Sequence, residues 1–272
     1  MHNSLSNILI FSIITLIIYP CALADTNRDI TLKKDVKWEP LNPARGDKSP
    51  MSATLWGDRH GPSPTGFLVR FVDGFSSPPH IHNVTYRGLV IDGHIHNDDP
   101  EAKKMWMKSG SFWAQPAGEI HITSAKGDYN LAYIEIDEGP YLVRPIENSF
   151  DNGQRPINID ISNIVWIKQN KTTNTSGIEL AHLWGRPHTS QKYGILAKLP
   201  PTKSIKISSY GSVFHAVIIK GLLDYLSNEN NHLKMTPGSY FTIREAQFKK
   251  ISTNEESIIY VHTNGKLEFS LE

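Results

Sequence analysis

The sequence predicts an all-β protein built from two consecutive β-barrels. Segments rich in β-branched and aromatic residues, such as 67–72 and 129–136, alternate with clusters of Gly, Pro, Asn and Asp. Helical periodicity is scarce, and only residues 100–107 suggest a short helical turn. Short strands separated by turns are typical of a sandwich or a closed barrel. An internal repeat, the third observation, sets the number of barrels at two.

A shift of 128 positions superposes the two halves of the chain over a long stretch without insertion or deletion. The matched pairs include Trp38 and Trp166, Ala53 and Ala181, Trp56 and Trp184, Gly66 and Gly194, Gly93 and Gly221, and Met107 and Met235. Trp is rare and Gly marks special backbone positions, so such coincidences indicate a duplicated domain. A polar, proline-containing junction at 145–163 separates the copies, which predicts barrels at 25–150 and 151–272.

The N-terminus predicts export. Residues 8–18 are apolar apart from Ser12 and Thr15, and small residues follow at Ala22 and Ala24. Such a segment is short for a bilayer span but suits a signal peptide at residues 1–24, cleaved after Ala24. We therefore expect a secreted protein, most simply periplasmic. Residues 1–24 contain no Lys or Arg, and the alternative is an uncleaved membrane anchor.

Composition excludes several classes of partner. The chain has 28 basic and 27 acidic residues, a formal net charge of +1 and no dense basic run. This balance argues against nucleic-acid binding and, after signal cleavage, against membrane binding. Cleavage would also remove Cys21, the only cysteine of the chain, so no disulfide is expected.

Two histidine motifs carry the chemistry. The first places His80 and His82 six and eight residues after Gly74, and the second ends at His121 after a Pro-x-Gly turn. Side chains at i and i+2 of a strand share a face, so His80 and His82 can both enter a barrel interior. With His121 they could hold one divalent transition metal (Fe, Zn, Mn, Ni or Cu) and leave positions open for a ligand.

These motifs resemble the two sequence motifs of the cupin superfamily. The sequences of residues 78–88 and 110–123 further resemble those of the DUF4437 proteins. The resemblance covers essentially the whole mature chain and implies two double-stranded β-helix (jelly-roll) barrels. Tyr86 stands where the family usually has Glu, and Ala125 where it often has Asn. Family members commonly pair through edge strands, which implies a homodimer unless the second barrel meets the same need.

Tyr86 and Glu119 are the candidate catalytic residues. Tyr86 provides either a hydroxyl beside the metal or aromatic packing. Glu119 lies two residues before His121, so on a regular strand it would share its face and could supply the carboxylate ligand that Tyr86 replaces. It could equally accept a hydrogen bond from a histidine or be a charged residue at the rim. Arg87 either binds a substrate carboxylate or faces solvent.

The second copy lacks the proposed ligands. At the offset of 128, Ser208, Tyr210 and Lys249 take the places of the three histidines, and Gln247 replaces Glu119. We therefore expect a degenerate C-terminal barrel without metal ligands.

The sequence thus predicts a mononuclear metal-dependent enzyme, oxygenase-like or a lyase or isomerase, that acts on a small organic molecule. The alternative is a non-catalytic periplasmic module that binds or senses a small ligand. No nucleophile motif, phosphate-binding loop or dinucleotide fingerprint competes with these hypotheses.

Overall fold

The computed structural model describes residues 29–169, 177–187, 191–226, 232–244 and 247–272. The proposed signal peptide, with its cleavage site after Ala24, lies outside these ranges. Within them, no helix has both the length and the apolar character needed to cross a membrane. The all-β prediction is confirmed, since strands dominate and the helical segments are short 3₁₀ turns.

Within the described residues, nine strands precede residue 150. They are β1 (Ile30–Thr31), β2 (Glu39–Pro40), β3 (Met51–Trp56), β4 (Thr65–Phe71), β5 (Ile81–His82), β6 (Tyr86–Asp98), β7 (Phe112–Gln115), β8 (Ile122–Ile136) and β9 (Val143–Arg144). The 3₁₀ segments of the whole described chain are Lys33–Asp35, Pro43–Lys48, Ile146–Asn148 and Ile161–Asn163.

Twelve strands follow in the described parts of the second half. They are β10 (Ile157–Ile159), β11 (Ile167–Lys168), β12 (Glu179–Gly185), β13 (Tyr193–Leu199), β14 (Thr202–Ser209), β15 (Phe214–Lys220), β16 (Leu223–Leu226), β17 (His232–Met235), β18 (Tyr240–Phe241), β19 (Phe248–Thr253), β20 (Ser257–Thr263) and β21 (Leu267–Leu271).

The N-terminal barrel is built on a seven-stranded sheet of order β10-β7-β6-β8-β4-β3-β2 and the small pair β5-β9. The long strands β6 and β8 are antiparallel, and the register between them shifts on both sides of Asp92. Such irregularities bend a strand pair. Beyond the bend, His80 and Ser76 form bridges to His121 and Ser124, which closes the barrel around the histidine motifs.

The C-terminal barrel repeats this arrangement with a seven-stranded sheet, β1-β18-β15-β20-β13-β12-β11, and a five-stranded sheet, β17-β16-β19-β14-β21. Gly66 pairs with Glu135 in the first barrel, and Gly194 pairs with His262 in the second. Gly194 lies 128 positions after Gly66, but His262 lies only 127 after Glu135. The offset of 128 therefore does not extend to the last equivalent strand.

The two halves exchange their N-terminal arms. Strand β1, placed in the first barrel by the predicted boundary, pairs with β18 of the C-terminal sheet, while β10 pairs with β7 of the N-terminal sheet. Equivalent hydrogen bonds fix both arms: Lys33 N–H donates to Ser239 Oγ at 3.2 Å, and Ile161 N–H donates to Ser111 Oγ at 2.9 Å. The segment that precedes each barrel in the sequence therefore completes the sheet of the other barrel.

A hydrophobic cluster with members from both sheets joins the barrels. Its buried members include Leu68, Leu89 and Ile91 from the first half and Leu196 and Val217 from the second. Separate clusters fill the interior of each barrel. The outer faces of the two large sheets thus pack on each other, and the inner face of the N-terminal sheet remains available to form a site.

Candidate metal centre

Three histidine side chains converge inside the N-terminal barrel. His80 and His82 lie at β5, and His121 immediately precedes β8; their potential ligand atoms lie within 4.8 Å of one another. The backbones of His80 and His121 exchange two hydrogen bonds, of 3.1 and 3.0 Å. These bonds bring the two motifs together, as their spacing predicted.

The backbone selects the tautomer of each histidine. The Nδ1 atoms of His80, His82 and His121 lie 2.9, 3.1 and 3.1 Å from the carbonyl oxygens of Pro78, Leu142 and Glu119. A carbonyl oxygen only accepts, so each Nδ1 carries the hydrogen and each Nε2 keeps its lone pair. This is the form that binds a metal through Nε2, with the carbonyl orienting the ring.

Burial keeps these imidazoles neutral. It lowers the pKa of His121 to about 3, with a further contribution from the nearby His80 charge, and lowers the pKa of His82 well below its usual value. Burial also lowers the pKa of His80. Neutral imidazole is the metal-binding form, so at neutral pH none of the three would have to release a proton.

Two tyrosine hydroxyls lie beside the histidines. The Tyr86 hydroxyl is 3.2 Å from His121 Nε2, and the Tyr141 hydroxyl is 3.1 Å from His82 Nε2. The Tyr141 ring also stacks on His82 with a centroid distance of 4.2 Å. Burial raises the pKa of both tyrosines, so both hydroxyls remain protonated at neutral pH.

A chain of buried amides decides where the Tyr86 hydrogen goes. The carbonyl of Glu119 accepts from Gln115 Nε2 at 3.4 Å, so Gln115 Oε1 faces Asn97 and accepts from its Nδ2 at 3.0 Å. This leaves Asn97 Oδ1 to accept the single Tyr86 hydroxyl hydrogen at 2.9 Å. His121 Nε2 is then a buried lone pair that Tyr86 cannot satisfy, which fits a metal ligand.

Glu119 serves this site through its backbone rather than its carboxylate. It lies in the irregular segment between the Gly118 turn and β8, where the alternation of a regular strand does not apply. Its side chain is 32% exposed, and its carboxylate lies 4.0 Å from Arg155. The expectation that the Glu119 carboxylate joins the histidines is therefore not met, whereas its carbonyl accepts from His121 and Gln115.

A cavity of about 330 Å³ adjoins His80, His82 and Tyr86. Its wall is mainly apolar and includes Val69, Phe71, Phe75, Trp113 and Ile134, while its polar lining includes Asn42, Arg45, Ser77 and Thr123. This volume is at the lower end of the range for small-molecule sites. His80 and His82 therefore face a space that a small organic ligand can occupy.

Arg87 neither enters this cavity nor faces solvent. Its guanidinium donates to Asp137 Oδ2 at 2.6 Å, lies 3.6 Å from Glu135 Oε1, and stacks 3.7 Å from the centroid of the Trp184 ring. Because Trp184 belongs to the other barrel, Arg87 is a contact between the two halves. Both alternatives drawn from the sequence are therefore wrong for this residue.

Sequence reasoning missed Tyr141, Asn97 and Gln115. Tyr141 reaches His82 from a loop that follows β8, and no local pattern links the two residues. Asn97 and Gln115 lie on β6 and β7, and neither stood out from an ordinary strand residue. Their side chains are buried, with exposures of 1% and 0%, but burial of an amide is seen only after the strands are paired.

Comparison with known proteins agrees with this architecture. A search of curated proteins finds no match. A Nostoc punctiforme protein provisionally described as a dioxygenase is 13% identical, with a TM-score of 0.60 over 81% of this chain and 73% of that one. A Bacillus subtilis oxalate decarboxylase variant is 9% identical, with a TM-score of 0.55 and coverages of 89% and 79%. A salicylate 1,2-dioxygenase variant from Pseudoaminobacter salicylatoxidans is 10% identical, with a TM-score of 0.51 and coverages of 79% and 77%.

At these identities the likeness shows the fold alone, that of cupin-type barrels. The family is shown by a separate finding: a domain of unknown function, DUF4437, matches residues 29–270, which include both barrels and the three histidines. The match covers most of the chain, as the sequences around the two motifs predicted. The chain therefore belongs to the DUF4437 family of cupin-type proteins.

Proposed function

We propose that this protein is a mononuclear metal-dependent enzyme acting on a small organic molecule, with the metal held by His80, His82 and His121. A divalent transition metal bound there would supply Lewis acidity or a site for dioxygen activation. The observation that carries the proposal is the set of three Nδ1–carbonyl contacts, which leave three Nε2 lone pairs in one buried cluster.

The neighbouring side chains would orient and polarise a ligand in the cavity. Tyr141 can present its hydroxyl hydrogen to a ligand oxygen once His82 Nε2 is engaged elsewhere, because its hydroxyl has no other hydrogen-bond partner among the described residues. Tyr86 is held by Asn97, so its oxygen keeps a fixed position beside His121. The apolar wall would exclude water from this region.

The remaining predictions about the whole protein are also proposals. Export with cleavage after Ala24 rests on the sequence of residues 1–24. A duplicated domain is supported by the equivalent arms and by the pairing of Gly66 and Gly194 with equivalent strands. A homodimer rests on the family resemblance.

Metal content tests the proposed site. We expect about one transition-metal ion per chain in the purified protein, measured by plasma mass spectrometry. His80→Ala and His121→Ala should each weaken metal binding by at least roughly 100-fold, because each removes a direct ligand. Lys249→Ala, at the position equivalent to His121 in the other barrel, is the matched control and should retain the metal.

The identity of the metal then selects the assay. Iron would direct the search to oxygen consumption with candidate small molecules, and zinc to hydrolysis, elimination or isomerisation. A parent protein that takes up no metal during reconstitution, while folded by circular dichroism, would contradict the proposal. Loss of metal in Lys249→Ala to the same degree as in His121→Ala would contradict the assignment of the site to the first barrel.

A further inference from the structure

The cavity beside the histidines is lined by one formally charged side chain apart from the histidines themselves, and that side chain is the cation Arg45. Among its described lining residues there is no Asp or Glu. The Glu119 carboxylate, the nearest in sequence to His121, lies instead with Arg155. The charge balance of the site is therefore unusual for a pocket built around a cation.

Three neutral imidazoles do not offset the charge of a divalent metal. A carboxylate among the ligands would reduce that charge by one, but Tyr86 occupies the position where the motif usually has Glu, and its hydroxyl donates to Asn97 Oδ1 at 2.9 Å. With Arg45 in the lining, the cavity would contain two sources of positive charge within mainly apolar walls. A partly enclosed cationic site of this kind favours an anionic occupant, because an unpaired charge that faces mainly apolar walls is costly.

Arg45 is held where it can meet such a ligand. It lies in the 3₁₀ segment Pro43–Lys48, which begins at Asn42, whose side chain accepts from Ala44 N–H at 3.2 Å. The other end is tied back by Ser49, whose Oγ accepts from Asn42 N–H at 2.9 Å. The loop that carries Arg45 is therefore closed by its own hydrogen bonds.

The guanidinium itself has no acidic partner among the described residues; its one ring contact is with Phe75, 5.6 Å from the ring centroid. Arg45 and His80 both line the cavity. Arg45 thus lines the same cavity as His80 and has no acidic partner there among the described residues. A guanidinium in this state is suited to a carboxylate.

We infer that the ligand of this cavity is a small organic carboxylate with an apolar body, and that Arg45 is the residue that selects its charge. The inference rests on the proposed metal site. The apolar body would lie against Phe71, Phe75 and Trp113, and the carboxylate would be shared between Arg45 and the metal-facing side of the cavity. Uncharged molecules of the same shape would keep the apolar contacts but lack the interaction of the carboxylate with Arg45.

Benzoate and benzamide are a matched pair of probes for this inference, because they share a ring and differ in charge. Isothermal titration calorimetry on the full metal-loaded chain should give benzoate an affinity at least about 10-fold higher than that of benzamide. Arg45→Gln should weaken benzoate binding roughly 10-fold and leave benzamide binding unchanged. The benzoate affinity of Arg45→Lys should lie between those of the parent and Arg45→Gln, because a lysine keeps the charge but not the bidentate geometry.

Arg70→Gln is the matched control. Arg70 lies on β4 between the cavity residues Val69 and Phe71, and its guanidinium packs over Trp38 outside the cavity, 4.8 Å from the ring centroid. It should bind benzoate as the parent does. Retention of the parent melting temperature in Arg45→Gln would show that its effect is on binding rather than on folding.

The outcomes separate this inference from the proposed function. Equal binding of benzoate and benzamide by a metal-loaded parent, or no benzoate binding at millimolar concentration, would overturn the inference while the metal site stands. If the parent takes up no metal, the same titration on the metal-free chain still tests Arg45. Benzoate binding there that Arg45→Gln weakens would support the role of Arg45, and binding that it leaves unchanged would overturn that role.

Discussion

Where the N-terminal barrel carries His121, the C-terminal barrel carries Lys249, and the two side chains meet different surroundings. Lys249 is 8% exposed and its Nζ donates to Asp29 Oδ2 at 2.9 Å. Opposite Lys249 in the sheet lies Ile207 rather than Ser208, and Ile207 is fully buried. An ion pair and an aliphatic side chain thus occupy the region that holds the histidines in the first barrel.

The frame of the two barrels, in contrast, is the same. Trp56 Nε1 donates to the Tyr133 hydroxyl at 3.0 Å, and Trp184 Nε1 donates to the Tyr260 hydroxyl at 2.9 Å. In each barrel a glycine permits this: a Cβ at Gly66 or at Gly194 would come within 2.2 or 2.0 Å of the indole nitrogen. The Trp, Tyr and Gly residues that pack these sheets are thus the same in the two barrels, while the residues at the histidine positions differ.

At the contact between the barrels, equivalent positions carry complementary side chains. Arg87 and Glu135 are cross-strand neighbours in one barrel, and His215 and His262 are their counterparts in the other. His262 Nδ1 lies 3.2 Å from Glu135 Oε2 across the contact. A symmetric homodimer would place like residues at such positions, but two halves of one chain can place an acid opposite a base.

The largest expected effect on this contact is that of Glu135→Gln. Glu135 is fully buried and accepts from Tyr260 at 2.6 Å and from Tyr133 at 3.2 Å, besides its pairing with His262 and Arg87. Burial acts to raise the pKa of this carboxyl, but the His262 and Arg87 charges lower it overall, so it is ionised at neutral pH. Removing the charge should cost about 3 kcal/mol of unfolding free energy, measured by urea denaturation.

Glu179→Gln is the control for that experiment. Its partner Lys198 lies at 2.9 Å with both side chains about one-fifth exposed, so its loss should cost less than about 1 kcal/mol. A cost for Glu135→Gln no larger than that of the control would show that the two barrels do not depend on this complementary pair.

The pH dependence of stability tests the contact between the barrels through His215, with an expected effect smaller than that of Glu135→Gln. Burial lowers the pKa of His215 to about 3, in a site that also faces His262, Glu135, Lys192 and Tyr240. The unfolded chain therefore binds a proton that the folded chain does not between about pH 6.5 and 3, and stability falls as pH falls through that window. From pH 7 to pH 5 this one group should remove about 2 kcal/mol.

His215→Gln should lose that much less stability over the same interval, as measured by urea unfolding at both pH values. Taking the difference between parent and variant cancels the titrating groups that do not interact with His215. His60→Gln, which alters an exposed histidine outside this contact, is the comparison variant. An identical pH dependence in His215→Gln and the parent would contradict a buried neutral His215.

The smallest effects compare the two tryptophans directly. Trp56→Phe and Trp184→Phe each remove one buried indole hydrogen bond and should each cost about 1 kcal/mol. Trp184 also stacks against Arg87, whereas Trp56 stacks on neutral His215 at 3.8 Å, so Trp184→Phe should cost about 0.5 kcal/mol more. Thermal unfolding of both variants measures this, and an equal cost would mean that the cation adds nothing.

Local patterns predicted a large part of the candidate site. The i, i+2 spacing of His80 and His82 and the turn before His121 are short-range features, and the structure brings all three together. For Glu119 the same i, i+2 spacing rule gave a wrong prediction. The spacing rule holds only on a regular strand, and the residues between Gly118 and β8 do not form one.

The sequence by itself therefore determined the all-β class, two cupin-type barrels, the family and the three converging histidines, because strand periodicity, turn residues and motif spacing are local. Only the tertiary structure decided the exchange of arms, the pairing of Glu135 with His262, and the places of Tyr141 and Arg45 around the site. Those features join residues far apart in the chain, and no local pattern encodes which strand or loop will lie beside them. For this reason the histidine cluster can be predicted from the sequence, whereas the positive charge that Arg45 brings to the cavity is seen only in the folded barrel.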